Sequence, residues 1–495
     1  MMRLPVTTLV VALAASVSYA ETFHVATTGS NSAAGTDAAP WATLQHAADE
    51  VGPGDTVIVH AGDYQGFNLE TSGTSGAPIV FKADGDARIT SNNPETTDGI
   101  NLEGASYVTI EGFTITGTTR AGIRAVTCEH VTVRGVRADQ NGRWGIFTGF
   151  CDDLLIEDNE TSRSGAEHGI YVSNSGDRPV IRNNKSWGNN ANGIHMNGDI
   201  STGGDGVISN AVVEGNIIYG NGDAGGSGIN GDGVQDAIIR NNLLFDNHAS
   251  GISLYQIDGG EASTGNLVIN NTIVMASDGR WAVNIQDGST NNTLRNNILL
   301  HLGSRGAVDI CSTCLSGFVS DNNAVTGKFT VGDSEVTLAQ WKTMTGGDAS
   351  SMAATQGQLF TNPAMGDYTL LANAPAVDGG VTTDAPATDL AGNPRPQGTG
   401  IDIGALERCE GQCMPPPDTG PGDGSGSGDG GGDGDGDGDG TGTGNGDGNG
   451  DDPGGDFDTG GDGVTGGCAA GGGVGGAMLP LIFAALRRRR RTSSR

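Results

Sequence analysis

The sequence has little aromatic content and little charge: Phe, Trp and Tyr make up 5% and Asp, Glu, Lys and Arg 17%. That scarcity argues against a helical bundle or coiled coil, which would be rich in Ala, Glu, Lys and Leu. Basic residues are the scarcest of the charged ones, 26 against 58 acidic, for a net charge of −32. DNA and RNA are gripped by neutralising phosphates with a basic patch, so no nucleic-acid partner is expected. Neither terminal apolar run approaches the roughly 20 residues that span a bilayer as a helix. Glycine is abundant, 86 residues, but without a period of three, which excludes a collagen-like chain.

The two ends read as addresses. Residues 1–20 have Arg3 in a short basic start, an apolar run Leu9 to Ala15 and a small-residue finish Ser18-Tyr19-Ala20. This is the pattern of a secretory signal cleaved after Ala20. Residues 415–466 are Gly- and Asp-rich with no Lys or Arg. Such a segment buries no core and is expected to be a disordered, self-repelling linker. Residues 467–495 hold Cys468, the apolar run Ala477 to Leu486 and Arg487 to Arg491. This order resembles the MYXO-CTERM sorting signals of myxobacterial surface proteins. The resemblance implies processing near Cys468, export, and display at the cell surface with membrane association through the C-terminal segment.

Between the ends the chain repeats. Gly-Ile, or its near equivalent Ala-Val, recurs at Ile100, Ile123, Ile146, Ile170, Ile194, Ile229, Ile252, Val283 and Val308. The spacing is near 24, stretched to 35 after Ile194 and to 31 after Ile252. A second column is Asn159, Asn184, Asn216, Asn242, Asn271, Asn297 and Asn323, each preceded by a short alternating β-branched run. Three short strands per repeat give a parallel β-helix in which equivalent residues stack about 4.8 Å apart. Stacked Ile makes a dry core, and stacked Asn hydrogen-bonds along the turn.

This pattern resembles the pectate-lyase-type right-handed parallel β-helix family over roughly residues 22 to 326, and the fold class expected is all-β. Residues 21–326 are read as the solenoid, with a helix in Pro40 to Val51 lying over the first coil. Residues 327–414 contain Asp367 to Leu371, Ala374 to Gly380 and Gly400 to Glu407, which resemble a choice-of-anchor Q segment and imply a terminal cap. The segments His168 to Asp177, Asn192 to Asp199 and His248 to Tyr255 resemble secreted bacterial β-helix proteins of uncharacterised activity.

With Ile inward, alternation turns Arg124, Phe147, Tyr171, His195, Asn230, Ser253 and Asn284 outward, and beside them Ser173, Asn197, Asp232, Tyr255 and Gln286. The extra residues of the two long repeats fall in 198–206 and 257–264, at the same corner two coils apart, and are expected to flank a groove. The characterised relatives are mostly lyases and hydrolases of acidic polysaccharides. A lyase needs a base near the uronate C5, for which His195, Tyr171 and Lys185 are candidates, with Asp232 as a further catalytic carboxylate. Asp199 and Asp205 are candidate calcium ligands, the cofactor itself being left open. His168, Asn197, Asn230 and Tyr255 are candidate sugar contacts, and Trp187 and Tyr219 form an aromatic row suited to sugar rings. A hydrolase would use Asp199 and Asp232; a glycan-binding adhesin would use the same face without chemistry. The expected partner is a polysaccharide and the expected state a monomer.

Seven cysteines leave one over if the rest pair, and Cys468 belongs to the sorting signal. Cys128 and Cys151 each lie six residues after the glycine of a Gly-Ile, one coil apart, which suits a disulfide. Cys311 with Cys314, and Cys409 with Cys413, have the spacing of zinc half-sites, but no histidine pair neighbours them and an oxidising compartment favours structural bridges.

Overall fold

A computed structural model describes residues 20–409, 411–415 and 418–420. Cys468, the apolar run and most of the Gly/Asp-rich segment lie outside the described residues. The expected β-helix is present. A 12-stranded sheet runs from Phe67–Leu69 to Ser334–Thr337, and a 22-stranded sheet forms the other faces of the solenoid. The Gly-Ile column is its organising line. Ile100, Ile123, Ile146, Ile170, Ile194, Ile229, Ile252, Val283 and Val308 are consecutive register partners in the 12-stranded sheet. All are buried. No coil has enough apolar surface to bury its own face, so each is stabilised by its neighbours.

The other faces turn on asparagine. Asn184, Asn216, Asn242, Asn271 and Asn297 form an unbroken ladder. In each step the Nδ2 donates to the next Oδ1, at 3.0 Å from Asn184 to Asn216 and from Asn216 to Asn242, and at 2.9 Å from Asn242 to Asn271. The backbone N–H donates to the same Oδ1, and the Nδ2 also reaches back to a carbonyl, as from Asn242 to Val213 O at 2.9 Å. The residue ahead of each ladder position has positive φ: Asn183, Gly215, Asn241, Asn270 and Asn296. Asparagine tolerates this left-handed geometry better than most residues. Two shorter ladders, Asn189–Asn221–Asn247 and Asn266–Asn292, serve other turns.

The helix Leu44–Glu50 buries Leu44, Ala47 and Ala48 and starts at Thr43, whose side chain accepts from the His46 N–H. At the other end the hairpin Lys328–Val331 and Ser334–Thr337 closes the 12-stranded sheet, and the helix Leu338–Thr345 buries Trp341. The segment after it does more than cover the last coil. It runs back along the solenoid, packing Leu359, Phe360, Tyr368 and Ile403 on Leu243, Val274, Ile298 and Leu300. Arg395 and Glu407 form an ion pair buried on both sides within it. The fold-back happens because the outer face of the strands Leu243–Phe245, Thr272–Met275 and Ile298–His301 is apolar and needs cover.

The three expected disulfides are formed. Cys128 and Cys151 are register partners with Cα atoms 4.5 Å apart, and Cys311–Cys314 and Cys409–Cys413 close short loops.

Asn242→Ala would leave both Asn216 donors without their acceptor in the core and remove one donor to the Val213 carbonyl. It should lower unfolding stability by about 3 kcal/mol. Asn190→Ala, which removes one hydrogen bond to Ala166 O near the surface, should cost less than about 1 kcal/mol. Denaturant unfolding monitored by circular dichroism compares them, and equal losses would contradict the role given to the ladder.

Candidate functional site

The outward positions of the 12-stranded sheet form a continuous line. Arg124, Phe147, Tyr171, His195, Asn230, Ser253, Asn284 and Asp309 are successive register partners. Ser173, Asn197, Asp232 and Tyr255 form the neighbouring line. His195, Tyr171, His168, Asn197, Asn230 and Tyr255 therefore come together, as parallel strands require of equivalent positions.

Within this line the side chains are tightly engaged. The Tyr171 and His195 rings are stacked, 4.8 Å between centroids and 8° from parallel. Asn197 Nδ2 donates to the Tyr171 hydroxyl at 3.3 Å, and Asn230 Nδ2 to the Tyr255 hydroxyl at 2.9 Å. Trp144 and Phe147 extend the aromatic wall upstream. Glu167, beside His168, is held by Arg143 and by the Trp144 indole N–H.

The proton positions on the two histidines follow from their neighbours. Asn192 Oδ1 accepts the Ser227 N–H, so its Nδ2 faces His168 Nδ1 at 3.2 Å, and the Asn192 backbone N–H faces the same nitrogen at 3.3 Å. His168 Nδ1 is thus an acceptor and its Nε2 carries the proton. That Nε2–H donates to His195 Nδ1 at 3.1 Å. His195 then carries its own proton on Nε2. This Nε2 is buried with no partner, and so is the Oδ1 of Asn230 on the adjacent coil. A donor and an acceptor stand unpaired on neighbouring rungs.

Burial fixes the charge states. It pulls the His195 imidazole down to about 3 and His168 well below its ordinary value, so both are neutral near pH 7. Burial pushes the Tyr171 phenol up to about 12 and raises Tyr255 as well. Tyr171 therefore keeps its proton and is a hydrogen-bonding group rather than a resting base.

Several residues singled out from the sequence lie elsewhere or are committed. Lys185, Trp187 and Tyr219 sit on Lys185–Trp187 and Ile217–Tyr219 of the 22-stranded sheet, a different face from His195. Lys185 pairs with Asp418 at 3.1 Å and lines a 440 Å³ cleft against residues 388–392. Trp187, Tyr219 and Phe245 do stack, but the row ends against Tyr368 of the returning segment, so it packs the fold-back at that end. Asp232 is buried, and its carboxylate accepts the backbone N–H groups of Ile257, Asp258 and Gly259 at 2.8 to 3.0 Å. It anchors the loop. The loops 198–206 and 257–264 meet each other, Ile200 N–H donating to Asp258 O at 3.0 Å and Gly260 N–H to Gly206 O at 2.8 Å. They close over the end of the Asp232 strand instead of flanking an open groove. Asp199 caps its own turn through Ser201, and Asp205 accepts from Val207 N–H. Neither belongs to a cluster of three ligand-bearing side chains among the described residues.

Two further residues on this face escaped the sequence reading. Arg143 orders Glu167 beside His168. Asp309, in the outward line, is raised to about 6 by burial. Its signal was available, since it follows Val308 as His195 follows Ile194.

A solenoid of stacked parallel strands closed by one hairpin is the architecture of a β-helix. The chain belongs to the family described as Pel9A-like, right handed beta helix region, which matches residues 23–292. It is similar to the pectate lyase Pel9A, with 17% identity and a TM-score of 0.56, over 79% of this chain and 98% of that one. It is also 28% identical to the uncharacterized protein YwoF of Bacillus subtilis (strain 168), over 57% of this chain and 69% of that protein.

A histidine depressed by burial binds its proton in the unfolded chain first. Between about pH 6.5 and pH 3 the unfolded state holds more protons at this position, so the His195 contribution to stability is lost as pH falls. Each such group adds up to about 1.4 kcal/mol per pH unit to the slope. Asp309 and Asp402, both raised to about 6, act with the opposite sign. His195→Gln should therefore flatten the loss of stability between pH 6 and pH 4 relative to the parent chain. Denaturation at both pH values measures this, and an unchanged slope would contradict the buried neutral histidine.

Proposed function

We propose that this is an exported, surface-displayed, polysaccharide-active protein that engages a uronate-containing glycan along the Tyr171–His195–Asn230 line, in the manner of a lyase. The observation that carries the reading is the unpaired donor–acceptor pair, His195 Nε2–H and Asn230 Oδ1. Buried polar groups are nearly always hydrogen-bonded, so an unpaired donor and acceptor on neighbouring rungs of the polar line are candidate ligand contacts. A sugar hydroxyl can accept from the His195 Nε2–H and donate to Asn230 Oδ1, and stacked rings suit the apolar face of a sugar. Membership of the Pel9A-like family and the likeness to a protein named as a pectate lyase support the substrate class.

Elimination needs a group to take the C5 proton. In the resting tautomer His195 offers a proton from Nε2 instead of a lone pair, which suits holding an oxygen. Serving as the base would require the proton to move to Nδ1, against the Nε2–H of His168. This observation favours, as the second reading, a glycan-binding display protein that uses the same line without turnover. The hydrolase alternative is weaker, because Asp232 is occupied by three backbone donors. A monomeric state and anchoring through the C-terminal segment are further parts of the proposal, and the cofactor is left open.

Purified protein incubated with a panel of uronate polysaccharides separates these readings. Absorbance of an unsaturated uronide marks a lyase, new reducing ends without it mark a hydrolase, and retention without either marks a binding protein. Asn230→Ala should weaken binding about fivefold, the equivalent of one neutral hydrogen bond of about 1 kcal/mol. His195→Ala should abolish turnover where turnover is found. No binding to any member of the panel would overturn the proposal.

A further inference from the structure

The first coil holds a second constellation, on the 22-stranded sheet and well away from His195. His24 lies on Thr22–Val25, which pairs in parallel with the start of Thr56–Gln65, the strand that carries His60. The chain leaving Val25 folds back over them. His24 N–H donates to Gly35 O at 2.7 Å and Trp41 N–H to His24 O at 2.9 Å. Gly35 adopts φ of 73°, and a side chain there would strike the Trp41 ring, so the turn needs glycine. This return places Asp37 beside the two imidazoles.

The three ligand atoms form a near-regular triangle. His24 Nδ1 and His60 Nε2 are 3.1 Å apart, and Asp37 Oδ1 is 3.6 Å from the first and 3.4 Å from the second. In a tetrahedral zinc site with ligand bonds of 2.0–2.2 Å, the ligand atoms stand roughly 3.3–3.6 Å from one another. Two of the three edges fall in that range and the His24–His60 edge is about 0.2 Å shorter, so a single ion fits near bonding distance of all three atoms after a small movement of one ring.

The groups behind the triangle support this. Asp84, the register partner of His60, has Oδ2 3.3 Å from His60 Nδ1. A carboxylate facing that nitrogen favours the tautomer with the proton on Nδ1 and Nε2 bare, as outer carboxylates do for metal-bound histidines. Both imidazoles are partly open to solvent, with side-chain exposures of 19% for His24 and 30% for His60, so an ion can enter and a fourth position faces water. Two imidazole nitrogens and one carboxylate oxygen suit zinc and neighbouring first-row divalent ions, whereas calcium and magnesium prefer oxygen throughout.

We propose that His24, His60 and Asp37 bind one zinc-class divalent cation, with Asp84 as the positioning residue for His60 and the fourth ligand position open to solvent. The ion ties the first strand, the returning loop and the second strand together. It pins the turn that carries the helix Leu44–Glu50, and it stabilises the end of the solenoid at which coil stacking begins.

The test uses the untagged full chain, stripped with chelator and titrated with cobalt(II) and then zinc(II). Cobalt should bind at one equivalent with the visible absorption of a four-coordinate site, zinc should displace it, and the melting temperature should rise with added zinc. His60→Gln should abolish the cobalt spectrum, and Asp84→Asn, which keeps all three ligands, should weaken binding about 10- to 100-fold. Circular dichroism confirms that each variant is folded. Absence of stoichiometric binding by the folded parent chain would overturn the proposal. So would a cobalt spectrum that survives His60→Gln. A folded Asp84→Asn variant with unchanged affinity would remove Asp84 from the site.

Discussion

The asparagine ladder is the interaction on which the rest of this structure depends. A solenoid of short strands must turn its backbone sharply in every coil, and each turn buries N–H and C=O groups that water cannot reach. Asn184, Asn216, Asn242, Asn271 and Asn297 satisfy those groups and each other, each side chain accepting from the coil before and donating to the coil after. The ladder also fixes register. A coil that slipped by one residue would present a different side chain to the turn and break bonds to both neighbours.

With register fixed on one side, the 12-stranded sheet on the other is free to vary its outward residues. The inward line stays Ile or Val while the outward line changes from Arg124 through Tyr171 and His195 to Asp309. Scaffold and site are thus carried by alternate residues of the same strands. Leaving His195 Nε2 and Asn230 Oδ1 unpaired costs stability, since a buried unsatisfied group is worth about 1–3 kcal/mol. A stack held by ladders and a continuous Ile core can absorb that cost, as the proposed glycan binding requires.

The parts of the molecule legible in the sequence are those that obey its period. Ile100 to Val308, the asparagine column, the outward line and the Cys128–Cys151 bridge all follow from counting about 24 residues per coil. What was misread does not repeat. Period alone does not say which outward lines share a face, so Lys185 stands in the sequence as a candidate base alongside His195 although a turn separates their sheets. The returning segment that meets Phe245 has no repeat of its own, and its docking depends on Tyr368 and Ile403 finding an apolar face. Asp232 was read as free chemistry, yet three backbone donors from a loop 25 to 27 residues later claim its carboxylate. His24, Asp37 and His60 are brought together by a single fold-back before the repeat settles, which no periodic reading can register.

The central claim is that the glycan completes the unpaired polar groups of the outward line. A crystal structure of the protein with a uronate oligosaccharide tests it directly. The account predicts a sugar oxygen within about 3.2 Å of both His195 Nε2 and Asn230 Oδ1, with a ring against the stacked Tyr171 face. An oligosaccharide seated in the cleft beside Lys185 and residues 388–392, with the His195 and Asn230 atoms still unpaired, would contradict it.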